Sequence, residues 1–238
     1  MWWKRLLRKP AVSESSSSAS GAFAGTAAAV RSDAHRFAHA YWQNCSDTFL
    51  ASDPSYYDRQ ESELRRILAD RVGRVRSALD IGCGNGRFSF VLAEVSDSVL
   101  AFDLSTKLIA EATANAERRK VEGMTFQVRD LEAGVPAGPF DLVACMGVIS
   151  TLIDDVAYNA LIDDLERSVV TSGYVLTKDT LSTVEDGRLV ITDTYVTNYR
   201  NVSAYEQAFA QRGLRFVDQA RLATLEGMIN NLYLWQKE

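Results

Sequence analysis

The chain has 238 residues, 47% hydrophobic and 24% charged, with a formal net charge of −5. That is the make-up of an ordinary soluble globular protein, and it predicts one domain of about 200 residues with a sizeable core. The acidic balance speaks against broad electrostatic binding of nucleic acid, which needs a basic face, and no apolar run approaches the roughly 20 residues of a membrane span.

The first ten residues alternate Trp2, Trp3, Leu6 and Leu7 with Lys4, Arg5, Arg8 and Lys9. Such a segment suits peripheral contact with an anionic membrane, or else forms a disordered basic end. It is too short for a secretory signal. Residues 11–29 are Ser, Ala and Gly with almost no bulky side chains, which reads as a flexible linker. Residues 1–30 are therefore expected to be a tail and 31–238 the folded domain. A first helix is predicted from Ser32, capped by Ser32 or Asp33, with Phe37, Ala40, Tyr41 and Cys45 at helical spacing. Asp53-Pro54 breaks it. A second amphipathic helix follows from Ser55, carrying Tyr56, Tyr57, Leu64, Ile67 and Leu68. Strands are then predicted at 78–81, 99–102, 124–128, 142–145 and 173–178. Helices are predicted at 86–95, 105–120 and 156–168. Such alternation implies a parallel sheet covered on both faces. An extended insert at 189–197, a helix at 202–212 capped by Ser203, and strands at 214–222 and 230–236 close the pattern.

The sharpest local signal is Asp80-x-Gly82-x-Gly84-x-Gly86 at the end of the first of these strands. Strand, glycine turn and helix let a backbone press against a nucleotide-like ligand, and glycine reaches positive φ without strain. The dinucleotide fingerprint needs a further glycine where Arg87 stands, so a pyrophosphate ligand fits poorly. Asp103 ends the next strand, where a carboxylate can accept both hydroxyl protons of a ribose. These residues, with Asp130-Leu131 and the run Phe140–Val148 in the same order, resemble the class I S-adenosylmethionine-dependent methyltransferases. The resemblance covers residues 57 to 238. It implies a doubly wound, seven-stranded, mostly parallel sheet with a C-terminal antiparallel hairpin, a core over 73–238 and an N-terminal helical lid over 31–72. It implies S-adenosyl-L-methionine as cofactor. Gly82, Gly84 and Gly86 would pack on its amino-acid and ribose portion, with Asp80 positioning the loop or the amino group. Asp103 would take the ribose hydroxyls and Leu104 the adenine face. Asp130 would accept from the adenine amine beside Leu131, and Met146 and Gly147 would line the loop behind the sulfur.

The acceptor side carries a thinner signal. Lys178 and Asp179 end the fifth strand, and strand carboxyl ends face the binding crevice in open α/β sheets. The insert ends in Tyr195, Asn198, Tyr199 and Arg200, aromatic faces and donors beside the same edge. Arg200 could hold an acceptor carboxylate or phosphate, or pair with an exposed carboxylate such as Glu206. Tyr41, Trp42, Tyr56 and Tyr57 are candidate walls from the lid. Ser150 stands where many relatives carry a histidine or an aromatic residue. His35 and His39 share a helix face, but no third metal ligand is evident and a solvated face is expected. Cys45, Cys83 and Cys145 lack metal-like spacing and are expected as reduced thiols, with Cys83 and Cys145 packed near backbone turns in a cytoplasmic protein. The expected activity is methyl transfer to a small-molecule or glycan acceptor. The alternatives are non-methylating S-adenosylmethionine chemistry, cyclisation or lyase, and a non-catalytic cofactor-binding role.

Overall fold

The structure is a computed structural model that describes residues 27–46, 54–136, 138–191 and 196–238. The membrane-facing segment expected over 1–10, the linker up to residue 26, Asp53 and Tyr195 lie outside the described residues. Helix α1 (Ala27–Gln43) starts five residues before the expected Ser32 cap, because the Ala27–Ala29 run is itself strongly helix-favouring. Its inward residues are Ala34 and Ala38, which pack with Ile153 and Val196. Phe37 and Ala40, expected to face inward, are exposed instead. Small residues bring the helix backbone close to its neighbours. Helix α2 (Pro54–Ile67) opens on proline at its first position, where the missing N–H costs nothing. It continues as a π-helical stretch, Leu68–Val72, that stops at Gly73 with φ 70°.

The alternating pattern appears, with β3 as predicted and the other strands longer: β1 (Val75–Ile81), α3 (Arg87–Ala93), β2 (Ser96–Asp103), α4 (Thr106–Arg119), β3 (Met124–Val128) and β4 (Phe140–Met146). Helix α5 (Asp155–Ser168) is capped by Asp154, which accepts from Val156 N at 2.8 Å and Ala157 N at 3.0 Å. Strand β5 spans Val169–Ser182, eight residues more than predicted. The insert forms a separate two-stranded hairpin, β6 (Arg188–Ile191) and β7 (Val196–Tyr199). The cap of α6 (Val202–Ala210) is Asn201, not Ser203: the Asn201 side chain accepts from both Ser203 N and Ala204 N. Strands β8 (Leu214–Leu225) and β9 (Met228–Lys237) follow.

The main sheet runs β3-β2-β1-β4-β5-β9-β8, with only β9 antiparallel to its neighbours. One face packs on α5 and α6 through Leu161, Ile162, Leu165, Tyr205 and Phe209. The other packs on α2, α3 and α4 through Leu64, Ile67, Leu68, Val91, Leu92 and Ile109. Because both faces are covered, Ala78 to Ile81 are all buried. Strand order reverses between β1 and β4, and the crevice at their carboxyl ends is where such sheets bind ligands. No described helix is long and apolar enough to cross a membrane.

Candidate cofactor and acceptor site

The glycine turn after β1 is left-handed at three points, with φ of 68° at Gly82, 56° at Gly84 and 84° at Gly86. A side chain at Gly82 would collide with Val148, its Cβ falling 2.2 Å from Cγ2, so the turn and the loop after β4 close only on glycine. The turn hangs from β2: Gly82 N and Cys83 N donate to Phe102 O at 2.9 and 3.0 Å. Gly84 N donates to Asp103 Oδ2 at 2.8 Å, and Ser105 N donates to Oδ1 at 2.9 Å. Burial raises the Asp103 carboxyl above its ordinary value, and these amides oppose the rise. Each oxygen keeps a lone pair for one further donor, which suits two ribose hydroxyls.

Asp80 sits beneath the turn, 1% exposed. Its Oδ2 accepts from Ser89 Oγ at 2.6 Å, and its Oδ1 has no hydrogen-bond partner. Burial pushes this carboxyl up to about 7. An orphaned carboxylate oxygen next to a glycine cradle fits the ammonium and ribose ends of S-adenosylmethionine. Arg87, the residue that departs from the dinucleotide pattern, ties the turn to α2. Its guanidinium contacts Glu61, lies 3.0 Å from Asp58 and stacks 5.1 Å over the Tyr57 ring.

Asp130 lies after β3 as expected, but its carboxylate is engaged. Oδ1 accepts from Glu132 N at 2.9 Å, and Oδ2 is 2.7 Å from His39 Nε2 on α1. Burial opposes ionisation here, yet these partners hold its pKa below the usual carboxylate range. The expectation of a solvated histidine face is therefore corrected: His39 reaches Asp130, and His35 lies 3.7 Å from Glu132. Nor is a third acidic ligand lacking, since His39, Asp130 and Glu132 each bring one ligand atom within 4.8 Å of the others. Sequence spacing could not show this, because 91 residues separate His39 from Asp130. Leu104 and Leu131 are partly buried, Leu131 against the α5-side core. Met146 is buried on the α2 side. Cys83 and Cys145 are buried, and burial pushes both thiols well up, which leaves them unreactive.

On the acceptor side, Lys178 and Asp179 point to opposite faces of β5, as strand alternation requires. Asp179 is buried and braces the loop after β4, accepting from Ser150 N at 3.0 Å and Tyr205 OH at 3.1 Å; burial raises it to about 7. Lys178 pairs in register with Met146, and its Nζ lies 3.3 Å from where a Gly147 side chain would start. Its ammonium makes no hydrogen bond or ion pair among the described residues. Burial lowers its pKa, an effect that the neighbouring Asp179 opposes. Tyr199 is buried beside the end of β5, where Ser182 N donates to Arg200 O at 2.8 Å. The Arg200 side chain turns to the chain itself: it donates to Leu152 O and Asp155 Oδ1, each at 3.0 Å, and lies 3.7 Å over the Tyr158 ring. At 10% side-chain exposure it clamps the start of α5, with Asp155 in place of the Glu206 partner considered from sequence. Gln60, buried on α2, carries no motif. A polar residue within the apolar stripe of α2 was the available signal for Gln60.

Comparison with known proteins fits this geometry. Residues 76–212 match a family model described as a methyltransferase domain. A ubiquinone biosynthesis O-methyltransferase of Methylococcus capsulatus is 34% identical over 83 residues, 33% of this chain and 34% of that protein. A 23S rRNA (uracil-C5)-methyltransferase of Shewanella woodyi is 26% identical over 127 residues, 51% of this chain and 28% of that protein. The chain thus spans about a third of the length of these curated relatives. Among solved structures, the N-methyltransferase NodS of Bradyrhizobium japonicum bound to S-adenosyl-L-homocysteine superposes with a TM-score of 0.64 at 17% identity, over 86% of this chain and 98% of that one.

Proposed function

Since the chain belongs to the class I S-adenosylmethionine-dependent methyltransferases, we propose that it O-methylates a small molecule bearing an acidic hydroxyl, a phenol or an enol. The cofactor supplies an activated methyl group on a sulfonium. The observation that carries the acceptor class is Lys178, a partly buried amine beside Gly147 that makes no hydrogen bond or ion pair among the described residues. An ammonium at that point repels a protonated amine acceptor and attracts an oxyanion. Lowered by burial, Lys178 accepts the hydroxyl proton and then stands as counter-ion to the phenolate it has made. Asp103, Gly84 and Asp80 hold the cofactor; Met146 and Gly147 shape the wall behind its sulfur. Tyr199 walls the crevice, while Asp179 and Arg200 position the loop and α5 that flank it. The acidic net charge and the O-methyltransferase relatives support a small acceptor.

Lys178→Met tests this. Turnover of phenols should fall about 10²–10⁴-fold with cofactor affinity unchanged by calorimetry. In the parent enzyme turnover should rise with pH through the lowered lysine pKa. In the variant the rise should move to the pKa of the free phenol. An unchanged profile would remove Lys178 from the proton transfer.

A further inference from the structure

We propose that His35, His39, Asp130 and Glu132 form a site for a divalent transition-metal ion of the zinc class, which fastens α1 to the loop after β3. The chain has two histidines, and both stand at this place. They are four residues apart on α1 and share one face of it. His39 Nε2 lies 2.7 Å from Asp130 Oδ2, and His35 Nε2 lies 3.7 Å from Glu132 Oε1. His39, Asp130 and Glu132 each bring a ligand atom within 4.8 Å of the other two. The site is open to an arriving ion, since both histidine side chains are 29% exposed, Asp130 31% and Glu132 70%.

The two acids are presented by a braced turn. Asp130 caps a single turn of 3₁₀ helix, Leu131–Ala133, with its Oδ1 accepting from Glu132 N at 2.9 Å. That bond orients the carboxylate and leaves Oδ2 toward α1, the arrangement in which an outer partner steadies a metal ligand. Arg129 closes the same turn by donating to Gly134 O at 2.7 Å and Ala133 O at 3.0 Å. Its own amide donates to Asp103 O at 2.9 Å, which ties the turn to the end of β2. The histidines come from a helix whose inward residues are Ala34 and Ala38. Small side chains bury little apolar area, so α1 gains from a second fastening.

The donor set selects the ion. Two imidazole nitrogens and two carboxylate oxygens suit zinc, whereas magnesium and calcium take oxygen ligands. On a tetrahedral zinc ion with bonds of about 2.0–2.1 Å, ligand atoms stand about 3.4 Å apart. The contact of His39 with Asp130 opens to that spacing and the wider ones close to it by rotation of half-exposed side chains, with both backbones in place. Three strands lie between β3 and β5 in the sheet, so the ion is remote from Lys178. The site therefore stands whether or not the chain O-methylates phenols.

The test uses the untagged full chain, stripped with a chelator and titrated with zinc or magnesium by calorimetry and with cobalt by absorption. Zinc should bind at one site with a Kd of about 1 μM or below. Cobalt should give visible d–d bands without a sulfur-to-metal charge-transfer band, because no thiol is a ligand. His35→Gln, His39→Gln and Glu132→Gln should each weaken zinc binding at least about tenfold. Without metal, each variant should keep Tm within about 4 °C of the parent, as half-exposed groups allow. In the parent, zinc should slow amide exchange across Ala27–Gln43 and leave β5 unaffected. Weaker zinc binding than this, magnesium binding as tight as zinc, or a cobalt–sulfur band overturns the site. So do variants that hold zinc within tenfold of the parent. Zinc that binds without slowing exchange in α1 overturns the fastening.

Discussion

Asp103 and Asp80 occupy neighbouring strands and do different work. Asp103 is pinned by the Gly84 and Ser105 amides at the end of β2. Asp103→Ala should cost about 2–4 kcal/mol of S-adenosylmethionine affinity, because a charge-assisted acceptor for two hydroxyls is lost; calorimetry reads it directly, and an unchanged affinity would end the ribose role. Asp80 couples to pH. Its carboxyl is raised by burial from 3.8 to about 7 in the fold. Between those values the unfolded chain releases a proton that the folded chain retains. Its contribution to stability is therefore full below about pH 4, falls as pH climbs to about 7, and is flat above. Asp80→Asn should gain on the parent by about 2–4 kcal/mol between pH 4 and pH 8 in urea unfolding without cofactor. Equal pH dependence in both proteins would show that Asp80 ionises freely. The glycine turn and the acids beside it were legible because three glycines and two acids at strand ends keep fixed spacing along the chain. The contact of His39 with Asp130 was not, since 91 residues separate the two.

At the scale of elements, the sequence pattern placed the sheet strands and the helices between them, and missed which face of α1 turns inward. Alternation and glycine stops define strands and turns locally. A helix lying across other elements takes its orientation from shape, and Ala34 and Ala38 outcompete Phe37 because small residues permit close packing. The contact of His39 with Asp130 fastens α1 to the loop after β3. Both groups are about a third exposed, so His39→Ala should cost under about 1 kcal/mol of global stability. Its effect should be local. Amide exchange in Ala27–Gln43 should speed up, with β1 and β4 unaffected. Slow exchange retained in α1 would show that Ala34 and Ala38 alone hold the helix.

Across the whole molecule, the alternation of strand and helix implied a parallel sheet as far as β5, while the reversal that sets β4 beside β1 is seen only in the structure. The last part was less determined. The insert became a hairpin apart from the main sheet, and β9 entered between β5 and β8. That insertion governs how the protein can be made. Strand β5 is fourteen residues long and bonds β9 from Tyr174 to Ser182. During synthesis the amino-terminal elements emerge first. Until Met228–Lys237 has been translated, β5 carries an open, largely apolar edge inside what will become the middle of the sheet. Such an edge templates pairing between chains. A nascent chain halted at residue 226 should therefore pellet on centrifugation or remain bound to chaperones, whereas the finished chain should release. The ribosome, and not only the folded state, then sets the moment at which this fold becomes safe.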